Sequence, residues 1–271
     1  DYDIIVKHGE ISPLYSKIID NVDNLSQMAG LITKLKLQLY DIMKNEYKTE
    51  PDNFPVSIKF IAKWVESQSI EHNKCGDDQG VPNDDTLDKI YAGNAKSNAD
   101  GTYELTISPL KIGEYELFIY INEQKINGCP ISLNILPSIL DASKCVYNER
   151  IFLSISNNLV AGNNFELYYQ CRDTYGNNIK TLINNNNDIL KEIHLISNEN
   201  TNNEIKFEGS IVDYSSQPGC YIIQFNSNKT GKYKTKILLN NSLIPSIEIT
   251  VKPSLPSLQE SYVEIIDREN K

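Results

Sequence analysis

The 271-residue chain has a single Trp, two Met and three His, and it contains no run of 18 apolar residues. Without such a run, nothing in it is expected to span a membrane as a helix. It also lacks a Lys/Arg cluster. Its 26 basic side chains are outnumbered by 36 acidic ones, for a formal net charge of -10. Such a surface repels phosphate, which argues against nucleic acid as a partner. No Gly-rich phosphate loop, G-x-S-x-G or H-E-x-x-H occurs, and the carboxylates are scattered without a catalytic companion, so no enzyme activity is expected. The histidines are His8, His72 and His194. His72 lies near Cys75, Asp77, Asp78, Asp84 and Asp85. That segment has neither a second ligand pair at zinc spacing nor the order of a calcium loop, and it reads as a solvated acidic loop. No metal or cofactor is expected. The chain opens on Asp1 without a signal-like segment, and it reads as an excerpt of a longer protein.

What the chain does have is Tyr, 16 of them, together with β-branched residues in its apolar runs. That composition favours strands. Hydrophobic residues make up 40 % of the chain, ordinary for a globular protein, and the length suits two domains. Asn is frequent, with a run at Asn184–Asn187, and is read as compositional bias.

The chain repeats itself. Ala29-Gly30, Leu35, Leu37, Leu39, Asp41 and Asn45 match Ala161-Gly162, Leu167, Tyr169, Cys171, Asp173 and Asn177, each pair 132 residues apart. Further on, Gly101, Tyr103, Gly113, Tyr115, Asn122 and Ile126 match Gly219, Tyr221, Gly231, Tyr233, Asn240 and Ile244 at a spacing of 118. The first copy therefore carries 14 extra residues between Asp41 and Gly101, the mark of a loop insertion on a shared scaffold. A third correspondence covers the joints. Ile5-Val-Lys through Lys17, Leu133 through Lys144, and Ile249 through Val263 each read as a last strand, a Pro/Ser linker and a first strand.

Period-2 alternation predicts seven strands per copy. In the first they cover Leu14–Asp20, Thr33–Tyr40, Pro55–Trp64, Lys89–Lys96, Thr102–Ser108, Glu114–Asn122 and Pro130–Ile135. In the second they cover Lys144–Ser154, Phe165–Arg172, Asp188–Ser197, Glu204–Asp213, Cys220–Asn226, Lys232–Leu239 and Pro245–Val251. Leu35, Leu37 and Leu39 point to a core, and Lys34, Lys36 and Gln38 to water. The fold class expected is all-β: two immunoglobulin-like seven-stranded β-sandwiches in tandem. The expected boundaries are 10–137, with an inserted loop at 65–88, and 138–254. Residues 1–9 end a preceding repeat, and 255–271 form a linker and start a following one.

The five cysteines are Cys75, Cys129, Cys145, Cys171 and Cys220, an odd and thinly spread set unlike a secreted framework. Cys171 is in phase with Leu167 and Tyr169, whereas Cys220 is out of phase with Tyr221 and Ile223, so these two are not expected to bridge. That leans toward a reducing compartment. Sequons at Asn24, Asn228 and Asn240 arise readily by chance in an Asn-rich chain.

The stretch Asp100-Gly-Thr-Tyr-Glu-Leu-Thr-Ile-Ser-Pro109, then Ile112-Gly-Glu-Tyr115 and Ile126-Asn-Gly-Cys-Pro130, resembles the C-terminal half of a filamin repeat. Cys171-Arg-Asp-Thr-Tyr-Gly-Asn177 resembles the family's R-D-A-x-G-N corner, and Asp141-Ala-Ser-Lys144 its first strand. The first copy lacks the corner Gly, and the second lacks the G-S-P triplet before Pro245. The resemblance implies a non-catalytic scaffold or spacer that binds extended peptide segments of other proteins by β-strand addition. The edge used is that of the third strand, with the fourth strand as the far wall. The implied groove is Val56, Ile58, Phe60, Ala62, Lys89 and Tyr91 in the first copy, and Ile193, Leu195, Ile205 and Phe207 in the second. Ile61 falls out of phase in the third strand and turns apolar surface outward beside Trp64, as do His194 and Ile196 in the second copy. The resemblance further implies a cytoplasmic protein associated with the actin cytoskeleton through domains outside this segment. The alternative is the ectodomain of a cell-surface, for example gamete, adhesion protein.

Overall fold

The structure is a computed structural model. It describes residues 7–51, 56–65, 90–147, 159–179, 191–197, 204–205, 209–213, 219–239, 242–244 and 246–256. The described residues are organised as β-strands with one short 3-10 turn, and none of their helices is long and apolar enough to cross a membrane. Two compact units divide the chain. The first is built chiefly from Asp1–His72 and Val81–Leu140 and takes in the corner Arg172–Ile179. The second is built chiefly from Asp141–Cys171 and Lys180–Lys271.

The strands of the first unit are β1 (Lys17–Ile18), β2 (Leu25–Met28), β3 (Thr33–Gln38), β4 (Ile58–Val65), β5 (Ile90–Ala92), β6 (Asn94–Ser97), β7 (Thr102–Ile107), β8 (Gly113–Ile121), β9 (Gln124–Lys125) and β10 (Ile131–Leu136). They form one sheet in the order β1-β3-β7-β6 and another in the order β2-β10-β8-β4-β5, with β9 paired to β8. The alternation read from the sequence sets the register. Leu35, Leu37 and Leu105 of one sheet, and Tyr115, Leu117, Ile119, Ile121 and Leu133 of the other, are buried in a single core. This is the two-layer arrangement of an immunoglobulin-like sandwich.

The second unit repeats the plan. Its strands are β11 (Val146–Tyr147), β12 (Asn164–Gln170), β13 (Lys191–Ser197), β14 (Glu204–Ile205), β15 (Gly209–Asp213), β16 (Cys220–Asn226), β17 (Gly231–Leu239), β18 (Ser242–Leu243) and β19 (Glu248–Val251). Its sheets run β11-β12-β16-β15 and β14-β13-β17-β18, with β19 on β17. In the first unit β2 runs parallel to β10. In the second, the bridge between Val160 and Lys252 is the parallel counterpart.

Two expectations are refined. The fourth strand of the first unit, expected whole over Lys89–Lys96, is split between the sheets as β5 and β6, and the first, expected over Leu14–Asp20, shrinks to β1 and is followed by β2 in the other sheet, a strand the sequence reading did not include. Gln38, read as solvent-facing, is only 4 % exposed. Its side-chain amide donates to Tyr47 O at 2.8 Å, Leu39 O at 3.2 Å and Gly101 O at 3.3 Å. A buried amide must find acceptors, and the carbonyls at the sheet's end supply them, Leu39 O and Gly101 O in addition to the backbone donors they already have. Gln170, 132 residues on, does the same with Cys171 O and Gly219 O, both at 3.0 Å. The inserted loop expected at 65–88 lies outside the described residues except for Val65, which closes β4.

The repeated motifs have local physical causes. Tyr115 and Tyr233, the tyrosines of the two G-x-Y strands, donate their hydroxyls to Lys111 O at 2.7 Å and Lys229 O at 3.0 Å. The Asp41 carboxylate, 1 % exposed, accepts from Met43 N at 2.9 Å and Asn45 N at 2.8 Å through Oδ1. Through Oδ2 it accepts from Asn45 Nδ2 at 2.9 Å and Gly9 N at 3.1 Å. Asp173 is buried likewise. It accepts from Tyr175 N at 2.9 Å, Asn177 N at 2.8 Å, Asn177 Nδ2 and Ser138 N at 2.8 Å. In each case a buried carboxylate closes its own turn and ties down the segment upstream of the repeat.

Burial pushes the Asp41 carboxyl up, but hydrogen bonds from Asn45, Gly9 and Met43 outweigh it and hold the group at about 2, below the ordinary 3.8. The folded state therefore binds this proton less readily than the unfolded chain. The stabilisation is complete above about pH 4 and is lost as pH falls toward 2. Urea titrations from pH 6 to pH 2 are expected to show this acid loss. Asp41→Ala, which removes the acceptor of four part-buried hydrogen bonds, should lower stability at pH 7 by about 2 kcal/mol and flatten the acid limb.

Candidate partner-binding edge

The third strand of the first unit, β4, is amphipathic. Ile58, Phe60, Ala62 and Trp64 face the interior, while Lys59, Ile61, Lys63 and Val65 face out. Phe60 is 2 % exposed and Ala62 fully buried, and Val56, Ile58 and Tyr91 pack against the same core. Tyr91 meets Tyr115 edge-on, with ring centroids 5.7 Å apart. The five described residues of the expected groove are thus brought together, but as core lining beneath the sheet and not as an open surface. Lys89 and Phe207 lie outside the described residues. Ile193 and Leu195 fall in β13 and Ile205 in β14, where backbone pairing alone is described.

The edge itself is placed differently from the sequence reading. Strand β5 pairs antiparallel with β4, with Ile61 opposite Ala92, Ala62 opposite Tyr91 and Lys63 opposite Ile90. Gly93 N then donates to Phe60 O at 2.8 Å. The third strand is therefore covered over Phe60–Lys63, and the edge belongs to β5. The cause is Gly93, where the chain leaves β4 and joins β7 of the opposite sheet as β6. A Cβ there would stand 2.4 Å from Phe60 Cδ1 and 2.8 Å from Thr106 O, so only glycine passes between the layers. The second unit has the same plan: β14 pairs with β13 through Leu195 opposite Ile205, and β15 pairs with β16.

Because Tyr91 and Gly93 direct their peptide groups at β4, Ile90 and Ala92 direct theirs away from it. Their side chains share the outer face with Ile61 and Lys63. Across the same face Ile61 pairs with Phe118, Lys59 with Tyr120 and Lys63 with Glu116. Ile90 is 50 % exposed, and Phe118 and Tyr120 are half-buried, with Lys125 Nζ 5.9 Å from the Phe118 ring centroid. The outer face thus combines an aliphatic and aromatic patch with lysines around it. Ile61 was legible as an outward apolar residue. Phe118 and Tyr120 were missed, although they fall out of phase with Tyr115, Leu117 and Ile119. Trp64 packs on the core, with Lys111 Nζ 3.9 Å from its ring centroid.

Cys129, Cys145 and Cys171 carry thiols, and Cys220 is disulfide-bonded. Cys220 lies opposite Gln170 in the ladder, next to Cys171 but on the other face, so these two do not bridge. The lean toward a reducing compartment rested on that one pair, and the bonded Cys220 weighs against it. Strand phase excluded one pairing and did not bear on others.

No protein-family model matches the sequence, and no curated protein matches it. Among solved structures, the Escherichia coli adhesin FdeC aligns at 13 % identity over 89 % of this chain and 65 % of its own, with a TM-score of 0.46. Invasin, a bacterial integrin-binding protein, aligns at 15 % identity over 90 % of this chain and 41 % of its own, with a TM-score of 0.44. The filamin domain of Lin-41 aligns at 16 % identity over 48 % of this chain and 100 % of its own, with a TM-score of 0.33. The chain spans less than two thirds of the length of the two adhesins.

The two faces of β4 separate by mutation. Phe60→Ala is expected to cost about 3–5 kcal/mol in urea unfolding, whereas Ile61→Ala should stay within about 1 kcal/mol of wild type. Equal losses at both positions would contradict the inward and outward assignment.

Proposed function

We propose that this chain is a non-catalytic, protein-binding segment of a cell-surface ectodomain, built of filamin-type immunoglobulin-like repeats at 10–137 and 138–254. It takes up an extended partner segment along β5 of the first repeat. The observation that carries the binding mode is the outward row Ile90, Ala92 and Ile61 at a strand whose outer peptide groups face away from the sheet. A partner strand laid along β5 gains main-chain hydrogen bonds from Ile90 and Ala92 and sets alternate side chains over Ile90, Ala92 and Ile61. The lysines at 59 and 63 favour an acidic residue at the margin of such a segment. In the first copy this edge stands in place of the groove implied by the family resemblance, of whose residues Phe60 and Ala62 are core.

Surface display is favoured over the actin-associated cytoplasmic reading by the bonded Cys220, since disulfides persist in oxidising compartments and are rare in the cytosol. Asn24 and Asn228, each opening a sequon, are exposed and able to carry glycans.

Selection of a random peptide library on the immobilised chain should recover segments with alternating apolar residues. Ala92→Pro removes an outward N–H and leaves the β4 ladder intact, so the fold should persist. It should weaken those peptides about tenfold or more, roughly 1.4 kcal/mol. Peptides that bind wild type and Ala92→Pro equally would rule out the edge. Antibody labelling of intact cells is expected without permeabilisation, and labelling seen only after permeabilisation would refute surface display.

A further inference from the structure

The second unit holds a pair of buried cysteines that the binding edge does not use. Val146 lies opposite Gln170 and Tyr147 opposite Tyr169 in the β11–β12 ladder. One step further along the same register, Cys145 lies opposite Cys171. Cys171 N donates to Gly219 O at 3.2 Å, so its peptide groups face β16 and not β11. That makes Cys145 and Cys171 a non-hydrogen-bonded cross-strand pair, a type whose Cα atoms typically stand about 4.5 Å apart, with the side chains close. A disulfide spans Cα separations of about 4.4–6.8 Å, so the pair needs little backbone movement to close. Both side chains are buried, at 3 % and 0 % exposure. The two thiols are hydrogen-bonded to each other, and Cys145 Sγ also lies 3.5 Å from Asp141 O.

We propose that Cys145 and Cys171 close as a cross-strand disulfide that locks β11 to β12 when the chain is exposed to an oxidising thiol–disulfide couple. The oxidant is a small-molecule disulfide such as oxidised glutathione. One cysteine loses its proton and attacks a glutathione sulfur, releasing one glutathione thiolate and forming a mixed disulfide. The second cysteine loses its proton and attacks the protein sulfur of that bond, expelling the second glutathione. Two protein thiols are oxidised by two electrons, one glutathione disulfide is reduced to two thiols, and the two protons go to the departing thiolates.

The hydrogen bond that the Cys171 thiol donates to Cys145, together with burial, pushes the Cys171 thiol up, so the closed fold holds it protonated and inert. Exchange therefore passes through opening of β11, a two-residue strand at the margin of its sheet. Such a margin opens at less cost than the core. Closure needs no partner and no particular cellular address, so its test stands apart from the tests of binding and display.

The purified chain is equilibrated with oxidised and reduced glutathione in mild urea, returned to native buffer, denatured, alkylated and digested with trypsin. Before exchange, alkylation should mark Cys129, Cys145 and Cys171 among the described cysteines. Afterwards it should mark only Cys129 of these three, with a linked pair of peptides covering 145–150 and 151–172 and a raised urea midpoint. The variant Cys145→Ser should leave Cys171 alkylated under the same treatment. Quantitative alkylation of both cysteines in wild type after exchange, or glutathione adducts without the linked peptide, would overturn the proposal.

Discussion

Asp41 accepts four hydrogen bonds while almost fully buried, three from backbone N–H groups and one from the Asn45 amide. A carboxylate has about four acceptor sites on its two oxygens, and here each is filled. A buried charge with fewer donors would be driven to take up a proton. The turn from Asp41 to Asn45 and the chain at Gly9 are therefore fixed together. Asp173 has the same set of donors, with Ser138 in place of Gly9. Each corner couples the geometry of its own repeat to the segment that leads into it. The spacing of Asp and Asn is tightly specified for that reason.

The β5 edge follows from a different constraint. A sandwich has two open flanks, and this one closes both with chain that changes sheets: β1 into β2 on one side, β5 into β6 on the other. The second change passes through Gly93, between Phe60 and Thr106. On the β5 flank, the described edge strand is three residues long. Natural sheets keep their edges short to limit unwanted pairing. Only a partner that also packs on the outer face around Ile61 and Phe118 gains much beyond a few main-chain bonds.

The fold was legible because its causes are local and occur twice. Rows such as Leu35, Leu37 and Leu39 mark the inner face directly, and the constant spacings of 132 and 118 placed Asp173 and Tyr233 by analogy with Asp41 and Tyr115. The split of the fourth strand was not legible, since Lys89–Lys96 alternates without a break and Gly93 reads equally well as a weak strand residue. Phe60 and Ala62 were read as groove lining for the same reason. With the fourth strand assigned whole to the far wall, Phe60 and Ala62 appeared to line an opening that β5 in fact covers. Gln38 was misread because polarity was taken for exposure, although its repetition at Gln170 carried the contrary signal. The bonded Cys220 lay beyond a phase argument that compared one pair alone.

Neighbouring copies in a tandem chain meet at a local concentration far above that of separate molecules, and exchange of strands between them is a characteristic failure of such proteins. The crossing at Gly93 bears on this hazard. A strand that belongs to both layers cannot be traded to another copy without undoing both sheets at once, so an exchanged pair begins at a loss. The low identity of the two copies, whose alignment rests on a few corner and core residues, raises the barrier further. Fidelity between neighbouring copies is thus favoured by Gly93, which lets the chain step from layer to layer on the β5–β6 flank.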